Sequence, residues 1–114
     1  MRNNLQERVG EQIIIWGNVQ KVEDYHNDFG RLVHVCVGDV KVQQNNKIVG
    51  REDHIWINDY QSRNNQVVRN LVDKHNVQDG ERVGIRGIVR EYKRRDGSID
   101  YDLRNIDVVN VKRN

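Results

Sequence analysis

The sequence predicts a mostly β domain, five short strands closing into a small barrel, with one α-helix between the third and fourth strands. Three observations carry this. Val83, Ile85, Gly87 and Val89 alternate with Arg82, Gly84, Arg86, Ile88 and Arg90, and period two is the mark of a half-buried strand. Gly17 interrupts the first apolar stretch, and a long strand bent at a glycine can serve two sheet layers, as a small closed barrel requires. Between Asp59 and His75 the period changes, with Val67, Val68, Leu71 and Val72 at helical spacing.

Taken in order, Met1 to Gly10 is polar and reads as an N-terminal arm, either frayed or a short helix, with residues 11–114 as the domain. Glu11 to Asp24 forms the first strand, and Trp16 is expected in the core, where large aromatics usually sit. Tyr25 to Gly30 is a polar turn holding two aromatics. Gly30 to Val42 is the second strand, broken by a bulge or tight turn at Gly38-Asp39. Gln43 to Arg51 is loop-like, in the place of a second hairpin tip. Asp53 to Asn58 makes a short third strand, with Ile55 and Ile57 on one face and His54 and Trp56 on the other. Ser62 to Lys74 is the amphipathic helix, Ser62 its N-cap. Asn64, Asn65 and Asn70 are poor helix formers, so packing has to hold it together. Glu81 to Val111 is the last hairpin. It reverses at Asp96-Gly97, a pair that suits the positive φ of a type I′ turn.

The 114 residues fit one domain with one core. The net charge is only +2, so any argument for a polyanionic partner has to rest on where the charge clusters. Cys36 is the single cysteine, which excludes a disulfide framework and a cysteine metal site and suits a small buried apolar group. No apolar run approaches the 18 or so residues of a membrane span, and no leader is read at the N-terminus. The expectation is a soluble, cytoplasmic protein with no membrane partner. Pro, Ala and Thr are all absent. Their codons share a middle cytosine, which points to mutational bias or a restricted alphabet and carries no physical argument about function.

Charge does cluster at one place. Arg90, Lys93, Arg94 and Arg95 crowd the tip of the last hairpin, with Tyr92 before it and Tyr101 after it. Cations neutralise phosphates and aromatic rings stack bases, so such a tip can grip a single strand. A solvated hairpin end has the same composition, and Tyr92 and Tyr101 could be a cross-strand pair that only stabilises the hairpin. The densest set of potential catalytic groups is Glu23-Asp24-Tyr25-His26-Asn27-Asp28. It lacks metal-ligand spacing, and no P-loop, nucleophile elbow or dinucleotide fingerprint is present. No catalysis, metal or cofactor is expected.

The order strand, strand, strand, helix, strand, strand resembles the OB-fold, a five-stranded Greek-key barrel with a helix between strands three and four. The stretch DGERVGIRGIVREY is similar to the run that opens the fourth strand of many OB domains. DHIW, the glycine-initiated strand ending at Tyr92, and Asp100-Tyr101-Asp102-Leu103 resemble small uncharacterised OB-like proteins of phages and mobile elements. The likeness covers residues 11–111. It implies binding on the face of strands two and three, between the strand 1–2 loop (Tyr25 to Phe29) and the strand 4–5 loop (Tyr92 to Ser98). Outward positions on the middle strands would be Arg31, His34, His54 and Trp56, and a one-residue slip would exchange them for buried neighbours. Trp56 could equally plug a barrel end, Tyr25 and Phe29 could pin their loop, and His54 could satisfy a backbone carbonyl. The function implied is non-catalytic binding of single-stranded DNA or RNA with low sequence specificity. The alternative is a protein-interaction module that docks on a host or replication protein, and strand edges make a homodimer possible.

Overall fold

The computed structural model describes residues 3–113. The fold is mostly β, with 68% of residues in strands. A short helix α1 (Asn3–Gln6) is followed by β1 (Gln12–Asn27), β2 (Gly30–Gln44), β3 (Lys47–Asn58), the small hairpin β4 (Gln61–Arg63) and β5 (Gln66–Val68), a π-helical turn (Asn70–Lys74), β6 (Arg82–Lys93) and β7 (Ile99–Lys112). The main sheet is antiparallel in the order β3-β2-β1-β6-β7, and β4-β5 stand apart as a two-stranded sheet. Thus β1, β2 and β3 follow one another as hairpins, and β6 returns to lie beside β1.

The sheet is curled, and bulges bend it. Asp39, at φ 52°, is an extra residue of β2 where Trp16 faces Lys41 and Asn18 faces Gly38. It shifts the inward positions from Val33, Val35 and Val37 to Val40 and Val42, all buried. Gln20 is the extra residue on β1, between Val19↔Val37 and Lys21↔Cys36. Asn105, also at φ 52°, does the same on β7 and lets both Leu103 and Ile106 reach the core. Asp and Asn tolerate the left-handed conformation better than other side chains, and bulges tighten the twist of a sheet.

Curling brings the outer strands β3 and β7 against each other without a hydrogen-bonded ladder between them. The helix α1 touches both strands along this seam. Its Leu5 is fully buried in the same core as Ile13, Ile15, Ile55, Ile57 and Ile85, and Asn4 donates to the Arg51 carbonyl oxygen at 2.9 Å.

Several expectations from sequence are corrected here. No α-helix forms between Ser62 and Lys74, and Ser62 is a strand residue rather than a cap. Asn64 (φ 53°) and Asn65 (φ 63°) both take positive φ and make the two-residue loop between Arg63 and Gln66, the requirement of a type I′ turn. Of the proposed apolar stripe, Val67 is 51% exposed, while Leu71 is fully buried. The π turn that carries Leu71 is capped by Asp59, itself fully buried. The Asp59 carboxylate accepts from the backbone N–H groups of Leu71 (3.1 Å) and Val72 (2.9 Å). Arg69 donates to the carbonyl oxygens of Asp59 (2.7 Å) and Arg31 (2.9 Å), stitching this segment to β2.

The third strand begins at Lys47, because Asn45 (φ 53°) and Asn46 (φ 64°) form another such turn and Gln44 pairs with Lys47. At the last hairpin the turn is different. Only Gly97 has positive φ (89°), Gly97 N–H donates to the Arg94 carbonyl oxygen (3.0 Å) and Arg94 N–H to that of Ser98 (2.8 Å). This is a three-residue loop closed by a glycine bulge, not a type I′ turn.

Trp16 is not in the core. It alternates outward with Ile14 and Asn18, and its indole N–H donates to Gln43 Oε1 at 2.7 Å. Its ring lies across Gly84, the residue directly opposite on β6, where an added Cβ would come 2.4 Å from Trp16 Cζ3. That contact accounts for a glycine in the middle of a strand.

Candidate functional site

The site is assembled by strand register. Glu23 of β1 pairs with His34 of β2, and His34 pairs with Asn58 of β3. These three form one row across adjacent strands, on the outer face. In the next row Cys36 pairs with Trp56 and with Lys21. Beyond the seam, Arg90 pairs with Asp102 and Tyr92 with Asp100 across β6 and β7. Glu23, His34, Trp56, Asn58, Arg90, Tyr92 and Asp102 line one groove of about 290 Å³ that straddles the seam. Four residues singled out from the sequence therefore meet here: His34, Trp56, Arg90 and Tyr92. Trp56 and Tyr92 are each half-buried.

The electrostatics differ from a simple cationic cleft. The Arg90 guanidinium is bidentate to Asp102, at 2.9 and 2.6 Å, and lies 5.8 Å from the centre of the Tyr92 ring. Asp102 holds the Arg90 pKa above its ordinary value. Arg94 donates to Asp100, which also accepts from the Tyr92 hydroxyl at 3.2 Å. Burial, followed by the charge of Asp100, raises the Tyr92 pKa. Glu23 Oε2 accepts from the Tyr25 hydroxyl (2.7 Å) and lies 3.3 Å from Lys21 Nζ. The Tyr25 hydrogen bond is the main cause that holds the Glu23 carboxyl below its usual range, so it stays ionised at neutral pH.

The remaining candidates fall elsewhere. Lys93 and Arg95 are exposed at the hairpin tip beside Arg94 and make no side-chain hydrogen bond or ion pair with the described residues. Phe29 is 99% exposed at the β1–β2 turn, and Tyr25 and Leu32, paired across the strands below it, are 49% and 48% exposed. His54 lies further along β3, opposite Gly38, exposed and 3.2 Å from Asp53. Tyr101 faces the other way from Asp100 and Asp102 and packs on the core. Its partner across the ladder is Glu91, so it forms no pair with Tyr92.

Arg31 is not an outward residue of the groove. It shares parity with Val33, on the opposite face from His34. There it is clamped by Asp24 (2.9 and 2.8 Å) and Asp73 (2.8 and 2.9 Å). Hydrogen bonds from Arg31 are the leading cause that depresses the pKa of both carboxyls. A depressed folded pKa stabilises above the unfolded value, here 3.8, and that contribution fades as pH falls through the folded value. Arg31→Gln is therefore expected to lower the urea midpoint at neutral pH, with the gap to the native chain narrowing as pH falls below 3.8. A gap independent of pH would show that the clamp acts through packing alone.

Sequence reasoning missed Glu23, Asn58 and Asp102 as groove residues. Asp100 and Asp102 stood two apart opposite Tyr92 and Arg90, a signal readable only with the hairpin register in hand. Among the described residues no group of three or more His, Cys, Asp or Glu is arranged to hold a metal ion. No helix of the described residues is long and apolar enough to cross a membrane. Compared with protein-family models, curated proteins and solved structures, the chain matches none.

Proposed function

We propose that this chain is an OB-like barrel that binds single-stranded nucleic acid, with little overall sequence preference and no chemistry performed on it. The observation that carries the reading is the placement of Trp56 and Tyr92, from strands on either side of the seam, in one groove. Two aromatic walls are what successive bases stack on. The path supports the barrel: three hairpin-connected strands and a fourth returning beside the first trace a Greek key. The groove faces outward on β2 and β3, with the Phe29 tip and the Lys93–Arg95 tip belonging to the hairpins on either side. Lys93 and Arg95, free of carboxylates, are the cations available to phosphates.

Titration of a labelled single strand at several salt concentrations tests this. Each phosphate neutralised should contribute about −0.7 to the log–log slope. Trp56→Ala should weaken binding by about 1–3 kcal/mol with the fold intact. A flat salt slope, or an unchanged affinity in that variant, rules the groove out.

A second reading is a protein-docking module, of the kind a phage or mobile element would carry. It is favoured by the neutralised arginines at Asp100 and Asp102 and by the apolar tip of Tyr25, Phe29 and Leu32. Partners captured from lysate that persist after nuclease treatment would favour it over the first.

A further inference from the structure

We infer that the groove reads one base by its edge and prefers guanine, an inference that rests on the nucleic-acid reading above. The row Glu23–His34–Asn58 runs across three strands, two strand spacings or about 10 Å at the backbone. Trp56 stands one row away on the same face and Tyr92 across the groove. A base stacked on Trp56 would turn its hydrogen-bonding edge toward that polar row.

The charges decide which edge fits. Glu23 is ionised and can only accept; Oε2 is held by Tyr25 and Lys21, while Oε1 takes no hydrogen bond among the described residues. Arg90, the cation in the groove, is engaged by Asp102. The open position therefore asks for N–H donors and disfavours carbonyl oxygens or phosphate. Guanine presents two adjacent donors, N1–H and the 2-amino group, with O6 beside them. The Lys21 ammonium, 3.3 Å from the same carboxylate, is the donor suited to O6. Thymine and uracil present two carbonyl oxygens around one N–H, and each would face an anion. Adenine and cytosine offer a single amino group.

The test uses the native chain and a set of 12-residue thymidine strands, unmodified or with one central guanine, adenine, cytosine or hypoxanthine, at low salt. The guanine strand should bind about tenfold tighter than the all-thymidine strand, the low end of what one specific base-edge contact contributes. Hypoxanthine, lacking the 2-amino group, should fall between them. Glu23→Gln should bring the guanine-to-thymidine ratio close to one. Equal affinity for all five strands would overturn the preference while leaving single-strand binding intact. A ratio that survives in Glu23→Gln would remove Glu23 from the recognition. If no strand binds, the functional reading falls and this one falls with it.

Discussion

Replacing Asp59 with alanine is expected to destabilise the domain by about 3 kcal/mol, read as a lower urea midpoint at unchanged slope. The carboxylate is fully buried and is the acceptor for two backbone N–H groups at the start of the π turn. Alanine would leave both donors buried and unmet, at about 1–3 kcal/mol each. The turn would then lose its hold on Leu71, which belongs to the core. A pH signature separates this from simple cavity formation. Burial dominates the Asp59 carboxyl and lifts its pKa above the ordinary 3.8, against the pull of the two N–H groups. A raised folded pKa means that the group's stabilising contribution is full below the unfolded value and declines as pH rises through the folded one. Asp59→Asn cannot ionise and keeps one acceptor oxygen. It should lose less stability than alanine and flatten the pH dependence just above 3.8. An alanine variant as stable as the native chain would show that the cap is dispensable.

Gly17→Val should be at least as damaging, about 3 kcal/mol or more, with loss of cooperative unfolding if the strands separate. An added Cβ at this position would sit 2.6 Å from Val37 Cγ1 and 2.7 Å from the Gly38 carbonyl oxygen. Val37 is itself buried and the second obstacle is backbone, so neither can step aside cheaply. The contrast is Gly84→Ala, where the obstacle is the ring of half-buried Trp16. That ring can swing toward solvent, so the loss should be smaller. Thermal midpoints of the two variants, measured side by side, check the order. A milder effect at Gly17 than at Gly84 would mean that β1 and β2 are not pressed together at Gly17.

Period-two alternation made β1, β2 and β6 legible in the sequence, and Val83, Ile85 and Val89 face the core as the pattern requires. Gly17 stood out as a glycine inside a strand, and its place is a close approach to Val37 and the Gly38 carbonyl oxygen, with the extra residues of the bulges at Asp39 and Gln20. What was not legible was set by turn chemistry. A type I′ turn at Asp96-Gly97 would pair Tyr92 with Tyr101. The three-residue loop slides the register by one, so Tyr92 meets Asp100 and Arg90 meets Asp102. With that step Arg90 and Arg94, expected to be free cations, are carboxylate-bound, while Lys93 and Arg95 stay unpaired among the described residues. Between Ser62 and Lys74 the valines were equally compatible with a helix, and the paired asparagines settled the matter, because each tolerates positive φ at little cost. The candidate site was half visible. The aromatics and cations stood out by type, whereas Glu23, Asn58 and Asp102 became neighbours only through long-range pairing.

Leu5 has a consequence for how the molecule comes into being. Its burial place borders β3 and β7, the latter ending at Lys112. In synthesis α1 precedes β7, so the seat of Leu5 is complete only once β7 has been made. Ordering it requires closing the long loop from α1 to β7, the kind of distant contact that forms late and slowly. The helix that carries this leucine therefore closes a seam whose two sides lie far apart along the chain.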